Sequence, residues 1–177
     1  LEIAMAMENS LQTELLNRWY PQAVDSQHGG FLSTFTYDFK PTGPQDTFIV
    51  TQARHTWPTA KAALLYPEKT VYRSSSKWGF RFLKEVMWDK TYGGFYNLVS
   101  REGTVKPGGK AAKEAYGNAF GIYALAACYE AFRDTAALSL AKKAFYWLEE
   151  HSHDPVHKGY FQHLQRDGTP VRRDATV

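Results

Sequence analysis

Apolar residues recur at spacings of three and four along two stretches of this chain: Ile49, Ala53, Trp57, Ala60 and Leu64, then Ala112, Tyr116, Ala119, Tyr123 and Ala127. That is the period of one helix face. Each stretch predicts a second helix after it, about Thr70 to Met87 and about Thr135 to Glu150. The latter is capped by Asp134-Thr135 and ends with His151 beside its last carbonyls. A further helix, about Ile3 to Trp19, stops before Pro21. Elsewhere the period shortens to two. Phe31, Phe35, Tyr37 and Phe39 fall on odd positions with Leu32, Thr34, Thr36 and Asp38 between them, which predicts a half-buried strand. Glu102-Gly103 and Asp167-Gly168 read as hairpin turns.

These elements recur in phase. Asp25 to Phe31 (DSQHGGF), Asp89 to Phe95 (DKTYGGF) and a degenerate Asp154 to Phe161 (DPVHKGYF) follow one another at a nearly constant interval, a repeat of about 65 residues. The same offset joins Arg101-Glu-Gly-Thr104 to Arg166-Asp-Gly-Thr169. Paired glycines supply the positive backbone angles of a tight turn. One repeat is thus a helix pair plus a small hairpin.

Helix pairs that cannot bury both faces alone must stack or close into a ring, and about six units of about 65 residues would close a double ring of twelve helices. The expected fold class is therefore all-α, an (α/α)6 barrel architecture. The 177 residues supply about five of its helices with small β-hairpins between helix pairs, as a single partial barrel domain over 1–177. Such a chain is either a fragment or an open array, and a half ring exposing an apolar edge is expected to self-associate into a homo-oligomer.

Composition narrows the function classes. A 44% apolar and 22% charged chain can bury a sizeable core. Aromatics reach 15%, more than small helical repeats need, and such rings also stack on the apolar faces of sugars. A net charge of +3 without a Lys/Arg stripe argues against nucleic acid. The sequence has no apolar stretch of spanning length and no signal peptide, so no membrane is expected and the cytoplasm is the expected compartment, with the periplasm open. Cys128, in an apolar helical run, reads as a small buried hydrophobe, and one cysteine excludes a disulfide within the chain.

Several chemical motifs fail. Gly103 to Ala111 resembles a phosphate loop, but its spacing is off by one and no Ser or Thr follows Lys110. His151, His153, Asp154 and His157 are metal-compatible types at a helix end, where the helix dipole alone favours histidine; no metal site is read there. Asp25 and Asp89 could form a hydrolytic carboxylate pair, yet their place before Gly-Gly makes turn capping the better explanation. Arg54, Trp57 and Lys61 form one stripe of an otherwise apolar helix. Arg54 either pairs with a turn carboxylate such as Asp25 or Asp89, or serves as an anion or oxyanion clamp in a central cavity. Pro58 should kink this helix.

The Asp-x-x-x-Gly-Gly-Phe turns, the Ala53-Arg54-x-x-Trp57 helix, Trp88-Asp89 leading into Gly93-Gly94-Phe95-Tyr96, and Lys113-x-x-Tyr116-Gly-Asn118-Ala-Phe120-Gly-Ile-Tyr123 resemble the amino-terminal part of the N-acylglucosamine 2-epimerase and cellobiose 2-epimerase superfamily. The resemblance covers nearly the whole chain and implies the (α/α)6 barrel. It also implies reversible epimerisation at C2 of a reducing-end aldose, on a mono- or disaccharide, without a cofactor. Arg54 matches the family's arginine at the O1 and O5 region of the sugar, and Trp57, Tyr116 and Asn118 would line the cavity. The family's acid–base histidines lie in later helices, and none of His28, His55, His151, His153, His157 or His163 stands in a matching motif. The isolated 177 residues are accordingly expected to be inactive. Pro58 departs from the family's usual continuation. An aldose–ketose isomerase of the mannose type, another α/α-barrel hydrolase or lyase, and a non-catalytic glycan- or protein-binding module remain as alternatives.

Overall fold

The computed structural model describes residues 1–106 and 112–171. Among them, α1 (Glu2–Ser10) runs on through a π-helical stretch, Leu11–Leu16, and a last turn, Asn17–Trp19. Helix α2 spans Ile49–Leu65 and continues through Pro58, and α3 spans Thr70–Phe82 with a π-helical continuation, Leu83–Met87. Helix α4 spans Ala115–Phe132 and α5 spans Thr135–His151. The expected helices form close to their expected bounds. The Asp134 carboxylate caps α5 by accepting from the Ala136 and Ala137 N–H groups at 2.9 and 3.4 Å.

Helices α2 and α4 lie side by side and run the same way, since Ile49 faces Gly117, Trp57 faces Tyr123 and Lys61 faces Glu130. Helices α3 and α5 return behind them. The core between the two layers joins Ile49, Val50, Ala53 and Ala60 of α2, Ala124, Leu125 and Cys128 of α4, Phe82, Leu83 and Met87, and Ala137, Leu140 and Ala144 of α5. Small residues let the two forward helices approach. A Cβ at Gly117 would stand 2.6 Å from Ile49 of α2, while Gly121 makes room for the second turn, where a Cβ would stand 2.4 Å from the Phe95 ring. Each large apolar side chain buried here contributes roughly 1.5–3 kcal/mol.

The small strands pair between repeats. Strand β1 (Thr47–Phe48), just before α2, is antiparallel to β2 (Leu98–Val99) of the next unit, and β3 (Lys113–Glu114), just before α4, pairs with β4 (His163–Leu164). The expected hairpin turns are present: the Ser100 and Gln165 N–H groups donate to the carbonyls of Thr104 and Thr169 at 2.7 and 2.8 Å. Of the Gly103–Ala111 near-match to a phosphate loop, Gly103 serves the first hairpin with a φ of 89°, while residues 107–111 lie outside the described residues.

Two expectations are corrected. Residues 31–39 do not form a strand. The segment folds back as a loop in which the Gln45 side chain accepts from the N–H groups of Ser33 and Thr34 and donates to the carbonyls of Thr34 and Thr42. Phe35 and Phe39 pack on Trp19 at 5.5 and 5.0 Å, Tyr37 is exposed, and Phe39 has a φ of 62°. Past Leu32 the only backbone pairing is a tight turn-back, with one bridge from Phe35 to Pro41 and the Thr36 and Thr42 N–H groups donating to the Lys40 and Thr34 carbonyls, which is too little to extend the alternation into a strand. The third turn ends at Tyr160, not Phe161: Val24–Phe31, Trp88–Phe95 and His153–Tyr160 are the equivalent bridges. Lys158 takes the place of the first glycine with a φ of 69°.

Candidate functional site

Each Asp turn is built the same way. In the first two, the aspartate carbonyl accepts from Gly29 and Gly93 N–H at 3.0 and 2.9 Å. Its Oδ1 accepts from the second and third N–H groups after it, those of Gln27 and His28, then those of Thr91 and Tyr92. Both aspartates are buried and ion-paired across units. Arg101 donates to Asp25 at 2.6 Å, and Lys113 and Arg166 donate to Asp89 at 3.1 and 3.0 Å. Burial acts to raise the Asp89 pKa, but Arg166, the Thr91 N–H and Lys113 outweigh it and hold the carboxyl far below its usual range. At Asp25 burial is likewise outweighed, by Arg101 and the turn N–H groups, and the carboxyl is again held low. Both carboxylates are thus committed to the junctions between repeats.

Arg54 is consequently not their partner. It is exposed on α2, among the described residues it makes no ion pair, and it borders a groove of about 430 Å³ with Leu11, Leu15, Trp19, Tyr20, His55 and Pro58. On the same stripe, Trp57 stacks on Tyr123 of α4, with ring centroids 4.9 Å apart and planes 13° from parallel. Lys61 Nζ lies 5.9 Å from the Trp57 ring and pairs with Glu130. Phe120 meets both Tyr116 and Tyr123 edge-on at 4.9 and 5.9 Å. The result is a continuous open wall of Trp57, Tyr123, Phe120 and Tyr116, with one guanidinium and one ammonium along its α2 side. Partial burial raises the Tyr123 pKa against the opposing fields of Lys61 and Arg54, so both cations act on that phenol. Such a wall offers flat apolar faces for sugar C–H groups and a free guanidinium for an oxygen that gains charge.

Of the residues singled out from the sequence, Arg54, Trp57 and Tyr116 lie on this wall or its edge. Asn118 lies behind it. It is fully buried, accepts from Phe95 N–H at 2.7 Å, and donates to the carbonyls of Glu114 and Phe95 at 2.9 and 3.4 Å. Gln52 performs the same task on Phe31 one repeat earlier, at 2.8 and 2.7 Å. Tyr123 and Lys61 enter the wall without having been singled out as site residues, although the i, i+7 spacing of Tyr116 and Tyr123 on one helix was a usable signal.

All six histidines lie off the wall. His55 is held by Tyr20 at 3.0 Å and stacks on Phe31, and burial together with the Arg54 charge pushes its pKa down to about 4. His28 belongs to the first turn, His151 packs against Trp147, His153 against Tyr160, His157 bonds Asp154, and His163 stands 3.9 Å from Glu114. Cys128 is buried against Ser76, and burial raises its pKa to about 11, the state of an inert core thiol. No described helix is long and apolar enough to cross a membrane.

Comparison with known proteins bears on the family and the fold. The sequence profile of a family described as N-acylglucosamine 2-epimerase (GlcNAc 2-epimerase) matches residues 29–176. A cellobiose 2-epimerase of Bacteroides fragilis is 29% identical over 165 residues, 93% of this chain and 41% of that protein. The structure of a cellobiose 2-epimerase from Spirochaeta thermophila superposes with a TM-score of 0.81 at 34% identity, over 94% of this chain and 41% of that one. A D-mannose isomerase structure superposes with a TM-score of 0.83 at 20% identity, over 95% of this chain and 42% of that one, which bears on the fold alone. The chain spans about two fifths of the length of these relatives, and its architecture is that of part of an (α/α)6 barrel.

Proposed function

The chain belongs to the N-acylglucosamine 2-epimerase family, and on that premise we propose that its α2–α4 wall is the substrate-facing side of a sugar 2-epimerase or aldose–ketose isomerase acting at C2 of a reducing-end saccharide. The observation that carries this reading is the Trp57–Tyr123 stack with Arg54 on the same helix stripe.

Both reactions begin on the ring-opened sugar, whose C2 proton is acidified by the neighbouring aldehyde. Removing it places negative charge on O1 of an enediolate. A preorganised guanidinium near O1 stabilises that charge as it develops, the role proposed for Arg54. The aromatic wall holds the sugar's C–H face so that C1 and C2 keep one orientation through the step. Returning the proton to the opposite face of C2 gives the epimer, and delivering it to C1 while the O2 proton passes to O1 gives the ketose; either outcome is redox-neutral. The transfers need a base and an acid flanking C2. The six histidines of this chain lie off the aromatic wall, and His55, neutral and largely buried, is turned to Tyr20, Trp19 and Phe31 at the edge of the neighbouring groove. The acid–base pair is therefore assigned to other parts of the barrel, and Arg54, Trp57, Tyr123 and Tyr116 to binding and charge stabilisation.

The test is binding without turnover. Titrating the 177-residue chain with cellobiose, followed by the indole N–H resonances in 1H–15N spectra, should shift Trp57, and Tyr123→Ala should abolish that shift. Proton NMR of the same mixture should show no epimer or ketose. Shifts confined to other tryptophans would remove the wall from the site, and measurable turnover would overturn the assignment of the acid and base.

A further inference from the structure

Glu114 stands immediately before α4, at the position whose side-chain oxygen can accept from the first N–H groups of a helix, yet it makes no such bond. Its carboxylate is held away from the helix by two amides. Asn97 Nδ2 donates to Oε1 at 3.1 Å, and Gln162 Nε2 donates to Oε2 at 3.2 Å. Unlike Asp25 and Asp89, which pair with Arg or Lys, Glu114 meets neither among the described residues. Its side chain is 19% exposed, so the carboxylate is fixed in direction and keeps lone pairs free on its open side.

Two further polar atoms converge on it unpaired. Asn97 is 7% exposed, and its Oδ1 is buried with no hydrogen-bond partner among the described residues. Its carbonyl meanwhile accepts from the N–H of Ile49, the first residue of α2, at 3.1 Å. Asn97 therefore ties the starts of α2 and α4 together, and no bond on Oδ1 resists rotation of its amide if another donor takes its place on Glu114. His163 Nδ1 is likewise buried and unpartnered, 3.9 Å from Glu114 Oε1. The His163 side chain is 31% exposed, so any contact with a ligand falls to its Nε2 side. Buried polar atoms left without partners are rare and call for a reason.

The cluster lies just past the end of the aromatic wall. Tyr116 follows Glu114 by two residues, and Tyr116 and Gln162 border one groove. With Ile49 beside Gly117 and Trp57 beside Tyr123, Arg54 is level with the Phe120 turn of α4, and Glu114 stands about six residues, ~9 Å, farther along that axis. A saccharide with C1 at Arg54 and its ring on the wall points its other end here. We propose that Glu114 reads the hydroxyl groups at the non-reacting end of the saccharide, with Asn97 and His163 setting its direction; this rests on the α2–α4 wall being the substrate-facing side. The carboxylate accepts charge-assisted hydrogen bonds from neighbouring hydroxyls, one of them displacing the Asn97 amide from Oε1. Glu114 is thus a specificity-determining residue that takes no part in proton transfer at C2.

The test titrates the 177-residue chain and its Glu114→Gln variant with cellobiose, following the Trp57 indole N–H and the Asn97 side-chain amide in 1H–15N spectra. In the native chain both resonances should shift with one dissociation constant. In Glu114→Gln the Trp57 shift should persist with a dissociation constant roughly 10-fold higher, because hydrogen bonds to a charged group give way to bonds to a neutral one. Methyl β-cellobioside, whose C1 is blocked, should lose the same factor. The proposal fails if a folded Glu114→Gln variant binds cellobiose as tightly as the native chain, an outcome that leaves the wall in place. It fails equally if the loss vanishes with the methyl glycoside, which would put Glu114 at the reacting end. Should the variant not fold, the native titration decides: an Asn97 amide unmoved while Trp57 shifts overturns the proposal. A native Trp57 that does not shift removes the wall from the site, and this inference with it.

Discussion

Replacing Asp89 by Asn separates the turn from its ion pairs. An amide oxygen at this position still accepts from the Thr91 and Tyr92 N–H groups, which now stand 2.9 and 3.2 Å from Oδ1. Oδ2, however, faces Lys113 at 3.1 Å and Arg166 at 3.0 Å, and a neutral amide there forms an ion pair with neither. Asp89 is 1% exposed and the Lys113 side chain 0%, whereas the Arg166 side chain is 53% exposed and its share is screened by solvent. Breaking a buried pair costs about 3–5 kcal/mol, and with the Arg166 contribution discounted the lower end, about 3 kcal/mol, is expected. At a urea dependence of about 2 kcal/mol per molar, that is a fall of about 1.5 M in the unfolding midpoint followed by tryptophan fluorescence. Asp25→Asn, which loses Arg101 alone, should cost about half as much, and Asp154→Asn should leave the midpoint where it is. The sign with pH follows from a carboxyl held low in the folded state: its stabilisation is complete above the unfolded carboxyl pKa of about 3.9 and is lost as pH falls through the folded value. The gap between wild type and Asp89→Asn should therefore be constant from about pH 7 to 5 and close below about pH 4. Equal midpoint shifts for all three aspartates would refute the reasoning, because they would mean that the turn alone, and not the inter-repeat pair, carries the energy.

His55, with its pKa lowered to about 4 from about 6.5, is protonated in the unfolded chain before it is in the folded one. Stability should thus fall by roughly 3 kcal/mol between about pH 6.5 and 4 on its account, and its ring resonances should titrate near pH 4; titration near 6.5 would contradict its burial. Cys128, with its pKa raised to about 11, should resist a thiol reagent such as DTNB in the native protein at about pH 8 and react at once in denaturant. Gly159→Ala should cost only the strain of a positive φ, about 1–2 kcal/mol, since among the described residues a Cβ there meets nothing within 4 Å. Gly94→Ala adds a clash with the Trp147 ring and should lower the urea midpoint at least twice as far.

Periodicity carried the helices because one face of each is buried against a neighbour, and burial writes itself into three- and four-residue spacing. The turn motif carried the repeat because Asp and Gly there answer to local backbone geometry. Its third copy was misaligned by one residue, since Lys158 can adopt the left-handed conformation that glycine marks elsewhere. The supposed strand at 31–39 misled for the converse reason: its aromatics alternate to reach Trp19 and solvent, not two faces of a sheet.

The candidate site was legible only in part. Arg54 and Trp57 stood out as polar and aromatic interruptions of an apolar helix, and Tyr116 as an aromatic on the facing one. Asn118 belongs to the same short motif as Tyr116, yet side chains two positions apart on a helix point to nearly opposite sides, and which of them faces the open wall depends on where α2 packs. The helices, the Asp-Gly turns and their period can be read from the residues in order, because each rests on interactions within a few residues. It took the packing of the folded chain to show that Asp25 answers to Arg101, that Asp89 answers to Arg166 and Lys113, that Arg54 stands apart from both carboxylates and that Trp57 lies flat on Tyr123. Those pairings join residues distant in sequence across the packing of one repeat on the next, and no property of either residue alone names its partner.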